Sequence, residues 1–197
     1  MKIINLKISL GFTLMEVLVS LSIFAIVSVA VITMFSTSLR IEQRGSAYRG
    51  LQQNGLYIME LLGKEIRNGR IDYISYGGTV SNPVDALHLI YRGSTDLDEE
   101  ISLDTSTTPD SIILRRENPS LPGSYNEATL TNTEVNVDSL TFYITPPTEC
   151  TDDVCDDPGK ETVTIIMHLS SNAASRFGSA NATVNLQTTF TTRAYEF

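Results

Sequence analysis

Residues 11–35 read GFTLMEVLVSLSIFAIVSVAVITMF, an apolar run with one charged side chain, Glu16. At 1.5 Å per residue, a helix from Phe12 to Phe35 is about 36 Å long, and the hydrocarbon core of a bilayer is about 30 Å thick. The run therefore predicts a helix that crosses a membrane. The rest of the chain is organised by this helix.

The carboxylate of Glu16 is energetically out of place in such a helix. An acid at the centre of a membrane helix costs roughly 2.5 to 3.5 kcal/mol on insertion scales, so its presence indicates a function and a partner. The alternative is that Glu16 only interacts with the helix dipole, which contributes about 0.3 to 1 kcal/mol. Because that gain is smaller than the insertion cost, we interpret Glu16 as an assembly residue.

The ten residues before this run carry Lys2 and Lys7 and no acid. Under the positive-inside rule they stay in the cytoplasm, and the chain beyond Phe35 is exported. A cleavable secretory signal, cut near Ser28-Val29-Ala30, is the alternative. The apolar core of such a signal is about 7 to 15 residues long, so the length of this run and the presence of Glu16 both argue against it.

The hexapeptide Gly11-Phe12-Thr13-Leu14-Met15-Glu16 resembles the processing site of type IV prepilins, a pattern shared by pilins and type II secretion pseudopilins. The resemblance implies that a prepilin peptidase cleaves after Gly11 and that Phe12 is then N-methylated. Other pilin or pseudopilin subunits and the inner-membrane assembly machinery are the implied partners.

A packed bundle of such helices gives Glu16 a specific partner. A carboxylate buried in the bundle needs a cation, and the new α-amine at Phe12 of a neighbouring subunit lies close to the same depth. Removing one partner of a buried pair costs roughly 3 to 5 kcal/mol, so this pair would favour the correct register between helices.

The helix is predicted to continue past the membrane, because no proline precedes Pro83. Asn68-Gly69 is the predicted stop, since glycine favours the positive φ found just beyond helix ends. One face of the continuing segment is apolar and is predicted to pack, namely Leu51, Ile58, Leu62 and Ile66. We divide the chain into a leader peptide (1–11), a transmembrane and filament-core helix (12–35), an amphipathic helix (36–70) and an extracytoplasmic β-rich head (71–197).

The head shows the period of two that is typical of strands. Strands are predicted at 86–91, 110–115, 135–137, 140–144, 163–169 and 184–190. The acidic run 96–100 is predicted to stay in water because its charges repel one another. We expect an α+β fold in which the long N-terminal helix packs on one antiparallel sheet, an architecture that resembles the pilin lollipop.

A narrower resemblance comes from residues 61–70, LLGKEIRNGR, which look like the minor pilins of the W type and the J-type pseudopilin. The chain lacks the proline that kinks the transmembrane helix of many major pilins, and Thr33 lies in that neighbourhood. These features favour a minor subunit.

Charge is unevenly distributed along the chain. Residues 36–70 hold six Lys/Arg against three Glu, whereas residues 71–197 hold six against 19 Asp/Glu, a net charge of −13. A head this acidic is not expected to bind nucleic acid, because phosphate binding depends on Lys and Arg. Arg40, Arg44 and Arg49 are expected to meet either lipid headgroups or the acidic heads of neighbouring subunits.

Cys150 and Cys155 are the only cysteines, and we expect them to form a disulfide in an exported, oxidising compartment. A zinc site lacks further ligands, because His88 and His168 lie in separate predicted strands. The surrounding carboxylates suit Ca²⁺ in type, which makes a calcium site the alternative, although the EF-hand spacing is absent. These residues are Asp152, Asp153, Asp156 and Asp157.

No phosphate-binding loop, nucleophile elbow or HExxH motif is present, so we do not expect an enzyme or a cofactor. The sequence favours a minor pilin that starts or joins a type IV pilus, anchored by a single pass in the cytoplasmic membrane before it enters the filament. A pseudopilus subunit in type II protein secretion is the first alternative. A membrane-anchored extracytoplasmic binding module is the second.

Overall fold

The computed structural model of the protein describes residues 12–91, 97–121, 123–149, 160–172 and 182–192. The chain divides into two compact units, Met1–Glu42 and Gln43–Phe197. Within the described residues, one helix is followed by eight strands: α1 (Leu14–Asn68), β1 (Gly69–Ile71), β2 (Ala86–Tyr91), β3 (Leu97–Asp104), β4 (Ser111–Glu117), β5 (Tyr125–Thr129), β6 (Val135–Thr145), β7 (Thr162–Ser171) and β8 (Thr183–Thr191).

α1 ends where the sequence predicts, at Asn68. The predicted reason is wrong, because Gly69 does not adopt a positive φ. A Cβ at Gly69 would instead lie 3.2 Å from the carbonyl oxygen of Glu65 and 3.4 Å from the Cβ of Leu89. Glycine is therefore needed because the chain passes close to its own helix and to β2 as it enters β1.

The second unit contains the last part of α1, and one face of that part is buried. The four predicted positions, Leu51, Ile58, Leu62 and Ile66, are each at most 2 % exposed, which confirms the packing face. Glycines on this face allow β8 to approach, because a Cβ at Gly55 or Gly63 would overlap the side chains of Leu186 and Phe190. The helix contributes backbone surface as well as side chains to the core.

The strands form antiparallel sheets that pack with α1, which confirms the predicted α+β fold, but there are two sheets where the sequence predicted one. Sheet A has the order β1-β2-β3-β4-β5, and sheet B has the order β6-β7-β8. Both contribute to one apolar core with α1, through residues such as Leu87, Ile101, Phe142 and Ile165. Both sheets therefore share in covering the buried face of the helix.

The sequence misplaces the acidic run 96–100. Leu97–Asp104 is strand β3, in the middle of sheet A, and Glu99 is only 2 % exposed. The strand was missed because one of its two buried positions, Glu99, is charged. Only the other, Ile101, is apolar, so the sequence does not show the alternation typical of a strand. β1 and β5 were not predicted either, since β1 has three residues and all five residues of β5 are exposed.

The two short runs predicted at 135–137 and 140–144 belong to the single strand β6. The register with β7 shifts between Val137 and Ser139, which is a β-bulge at Asp138. The Asp138 carboxylate accepts hydrogen bonds from the side chains of Asn136 (2.8 Å) and Ser170 (2.7 Å). The extra residue of a bulge reverses the alternation, which explains why one strand reads as two.

An ionic cluster joins α1 to sheet A. The Arg116 guanidinium donates from Nε to Glu99 Oε2 at 2.7 Å and from Nη2 to Glu65 Oε2 at 3.0 Å. It also lies 4.3 Å from the centre of the Tyr91 ring. Glu65 is on the helix, and Glu99 and Arg116 face each other on β3 and β4. The cluster therefore fixes the end of the helix on the sheet.

Glu99 is the energetically unfavourable member of this cluster. Its Oε1 atom is buried and has no hydrogen-bond partner among the described residues. Burial raises the pKa of the Glu99 carboxyl, and the Arg116 hydrogen bond only partly offsets this effect. Since a buried charge is costly even when paired, Glu99 weakens the fold when it is ionised.

The close approach at Gly63 can be tested by alanine substitution of the full-length protein. Gly63→Ala should destabilise the head by about 1 to 2 kcal/mol, because overpacking against the Phe190 ring exceeds the gain in helix propensity. Gly50→Ala is the matched control, because no atom beyond its own turn of the helix lies within 4 Å of its Cβ position. It should stabilise by about 1 kcal/mol. Equal effects in urea unfolding in detergent would contradict the packing described.

The burial of Glu99 predicts a pH dependence of stability. A carboxyl whose folded-state pKa exceeds its unfolded value of about 4.3 lets the folded state hold more protons. The free energy of unfolding should therefore fall as the pH rises from about 4.3 through the folded-state pKa.

Glu99→Gln should remove this fall. Glu60→Gln, which removes the same charge from an exposed position on α1, should preserve it. Urea unfolding of the three proteins across this pH range measures the difference, and parallel profiles would contradict the role given to Glu99.

Candidate functional site

The first turn of α1 is organised by Thr13. Its hydroxyl oxygen accepts a hydrogen bond from the Glu16 backbone N–H at 3.2 Å. Its carbonyl accepts from the N–H groups of Glu16 (3.1 Å) and Val17 (3.2 Å). Thr13 is therefore the N-cap of the helix, and Glu16 is its third residue.

The sequence analysis did not single out Thr13, although the pattern Thr13-Leu14-Met15-Glu16 was available as a signal. Threonine followed three residues later by glutamate is the capping-box pattern at helix starts. The structure brings Thr13 and Glu16 together through the threonine half of this arrangement. The negative charge of Glu16 also lies in the first turn, where the helix dipole favours it by about 0.3 to 1 kcal/mol.

The surface of α1 in the first unit is apolar on all sides. Large apolar side chains are exposed from Phe12 (81 %) to Ile41 (65 %), and they include Phe24, Ile32 and Phe35. By length and composition the helix is suited to crossing a membrane, with a window of mean hydropathy 2.6 that is not buried in the protein. An apolar surface of this extent marks a site that a membrane or other proteins cover.

Four hydroxyl groups of this segment bond within the helix itself. A hydroxyl moved from water to an apolar medium without a hydrogen bond costs at least about 1 kcal/mol, and usually more. Side chains of the segment avoid this cost by donating to carbonyls one turn earlier, at 2.8 to 3.0 Å: Ser20 to Val17, Ser22 to Val19, Thr33 to Ala30 and Thr37 to Thr33. The surface therefore stays compatible with lipid despite these hydroxyls.

Glu16 is the one charged residue between Phe12 and Leu39. Its side chain is exposed, and its carboxylate has no ion-pair partner within the part of the chain that the structure describes. The site thus consists of an apolar cylinder with a single carboxylate close to its start. Chemically, this arrangement suits one cation delivered from outside the helix.

Basic side chains follow the apolar segment. Arg40, Arg44 and Arg49 are all exposed, and none forms a salt bridge within the described residues. Both of their predicted partners, lipid headgroups and acidic heads, stay predictions.

The two histidines lie on separate strands of separate sheets, His88 on β2 and His168 on β7. The His88 ring contacts the Tyr76 ring edge-on at 5.2 Å. Burial raises the pKa of Tyr76 to about 12, so its hydroxyl stays protonated and donates to the Ala86 carbonyl at 2.8 Å. Among the described residues, no group of three His, Cys, Asp or Glu is suited to a metal ion.

Several predicted site residues fall outside the described residues: Gly11, Cys150, Cys155, Asp152, Asp153, Asp156 and Asp157. The cleavage site, the disulfide and the calcium alternative therefore stay predictions. Phe12 and Glu16 are described, and both lie at the exposed start of the apolar helix.

In the comparison with known proteins, one family model matches the N-terminal part of the chain. The family described as "Prokaryotic N-terminal methylation motif" matches residues 7–32, which include Thr13, Glu16 and most of the exposed apolar surface. No curated protein and no solved structure matches the chain. The chain thus combines this motif with a pilin-like α+β layout, and the match supports a membrane-anchored type IV pilin or pseudopilin subunit.

Proposed function

We propose that this protein is a minor pilin, a structural subunit that starts or joins a type IV pilus. The observation that carries the proposal is the exposed apolar surface of residues 12–41, which begins at the capped turn of Thr13 and Glu16 and coincides with the methylation motif. No catalytic step is assigned to the chain.

Processing prepares the subunit. Prepilin peptidase cleaves after Gly11 on the cytoplasmic side, and Phe12 becomes the methylated N-terminus. Cleavage leaves a free α-amine next to the first turn of α1, only four residues from Glu16. The cation and the carboxylate thus belong to the same short segment of the mature chain.

Assembly exchanges one apolar environment for another. In the bilayer, the exposed side chains of α1 contact lipid; in the filament, they contact the same surfaces of neighbouring subunits. Because both environments are apolar, the hydrophobic effect alone does not fix the register of the helices. A buried ion pair does, since leaving one partner alone costs roughly 3 to 5 kcal/mol.

The pair that we infer joins Glu16 of one subunit to the Phe12 α-amine of the next. The Phe12 amine and the Glu16 carboxylate both lie at the N-terminal end of the helix. Glu16 is exposed, so a neighbouring subunit can reach its carboxylate. An exchange of partners between subunits satisfies every amine and every carboxylate except at the end of the row.

A subunit of a type II secretion pseudopilus, similar to the J type, is the second candidate, and the same motif supports it. Both candidates share processing, anchoring and assembly. Co-purification with an assembled pilus or with a secretion apparatus separates them. A stand-alone anchored binding module accounts for the helix and head but not for the motif.

Mass spectrometry of the mature N-terminus tests the processing step. We expect a chain that begins at Phe12 and is one methyl group heavier than the unmodified peptide. Deletion of the prepilin peptidase provides the control and should leave a chain that begins at Met1. An N-terminus near Val31, or an unprocessed chain in the wild type, would contradict the proposal.

Substitution of Glu16 tests the assembly step. Glu16→Ala and Glu16→Gln should leave membrane insertion and cleavage intact. They should lower incorporation into sheared filaments by about 100-fold or more, because a lost pairing energy of about 3 kcal/mol corresponds to a change of about 100-fold in an equilibrium constant. Glu42→Ala is the matched control, because it removes an exposed acid from the same helix. Normal incorporation of the Glu16 variants would contradict the proposed pairing.

A further inference from the structure

The outer edge of β8 is free of strand partners within the described residues. β8 is the last strand of sheet B and pairs with β7 in unbroken register, from Thr162 opposite Thr191 to Ser170 opposite Thr183. Its outer side shows no pairing with another described strand. The edge is nine residues long.

The hydrogen bonds at the two ends of β8 show which backbone groups face outwards. The Thr192 N–H donates to the Glu161 carbonyl at 2.9 Å, and the Ser171 N–H donates to the Ala182 carbonyl at 3.0 Å. In an antiparallel ladder, alternate residues direct both backbone groups to the same neighbour. Even-numbered residues therefore bond β7, and the odd-numbered ones offer N–H and C=O to the outer side: Thr183, Asn185, Gln187, Thr189 and Thr191.

The outer edge of β6, on the other side of sheet B, is closed by the chain itself. Val84 exchanges both backbone hydrogen bonds with Phe142, at 2.9 and 3.0 Å. The Asn82 side chain bonds both the carbonyl and the N–H of Ile144, at 2.7 and 2.8 Å. Segment 82–84 thus occupies the position that another strand would take.

The edges of sheet A are short, and each is protected in its own way. β1 has three residues, and its Ile71 N–H donates to the Glu161 carboxylate at 3.3 Å. β5 has five residues and carries Glu127, which pairs with Arg115. Short length and charge are the usual means by which proteins prevent unwanted pairing at sheet edges.

Within the described residues, β8 has none of these protections. Its sequence TVNLQTTFT contains no charged residue and no proline, and its register shows no bulge. Threonine, valine and phenylalanine are among the residues most common in strands. In a chain with 23 acidic side chains, an uncharged edge of this length is a feature that invites pairing.

The inner side of this edge also has apolar surface left to cover. Leu186 and Phe190 are only half-buried where they meet Gly55 and Gly63 of α1. Measured around the helix axis from Gly55, Gly63 lies at about 80° and Leu56 at about 100°. Leu56 is therefore on the same side of the helix as Gly63. Leu56 is 64 % exposed, so an added strand would extend the core on this side of the helix.

A symmetric pair of two β8 strands suits a filament poorly. The two-fold axis of such an antiparallel pair is perpendicular to the sheet, and α1 packs on the face of that sheet. The rotation would reverse the direction of residues 43–68 in one copy relative to the other. Subunits that leave one membrane in one orientation need these segments parallel.

We propose that β8 receives an extended segment of a neighbouring subunit as an added strand, an inference that rests on the proposed function. Main-chain groups of the five odd-numbered residues supply the hydrogen bonds. Specificity comes from alternate apolar side chains of the segment, which cover Leu186, Phe190 and Leu56. The head thereby selects a neighbour by strand addition, while the apolar helix supplies the anchor.

Photo-cross-linking in assembled filaments tests this geometry directly. A photo-reactive amino acid is placed at Asn185, Gln187 or Thr189 of the full-length chain. Strand addition predicts cross-links to one subunit, at partner positions that move by two residues for each step of two along β8. Cross-links within the same chain, to a second copy's β8, or without this order would overturn the proposal.

A backbone substitution provides the second test. Gln187→Pro removes an outward N–H without breaking the β7–β8 ladder, and it should lower incorporation about tenfold. Gln187→Ala keeps that N–H and should assemble normally. If Gln187→Pro folds and assembles like wild type while Glu16→Ala fails, strand addition is wrong and the proposed function stands. If Glu16→Ala also assembles normally, the proposed function itself fails.

Discussion

The structure depends on one constraint, which is that a single helix must suit two different surroundings. Over its first part, α1 exposes apolar side chains on all sides, and four of its hydroxyls donate to its own carbonyls. Over its last part, only one face is apolar, and two sheets cover it. Glycines on that face bring β8 close, and Glu65 links the helix to sheet A through Arg116.

The helix was predictable because its determinants are local. The apolar run, the lack of proline and the spacing of the buried side chains by seven, four and four residues each lie within a few turns. The structure confirms the end at Asn68 and the buried face. Strands with regular alternation, such as β2 and β7, were predictable for the same reason. Thr13 was missed although its capping pattern is equally local.

The remainder of the head depends on contacts between distant residues. Glu99 lies inside the sheet because Arg116, 17 residues later, neutralises it, so charge alone gave the wrong environment. The bulge at Asp138 is held by Ser170, 32 residues away, and it divides one strand into two apparent runs. Segment 82–84, about 60 residues before its partners in β6, likewise closes the outer edge of that strand through long-range hydrogen bonds.

The two parts of the proposed function draw on different features of the chain. The methylation motif and the apolar helix support processing, anchoring and assembly, which pilins and pseudopilins share. The outer edge of β8, which has no strand partner among the described residues, belongs to the head, where we place the choice of neighbour.

The central claim is that Glu16 is held by the N-terminus of a neighbour, and the structure of the assembled filament tests it most directly. Cryo-electron microscopy at side-chain resolution should place each Glu16 carboxylate about 2.7 to 2.9 Å from the Phe12 nitrogen of an adjacent subunit. A filament in which Glu16 contacts no cation, or only the Phe12 amine of its own chain, would contradict the account.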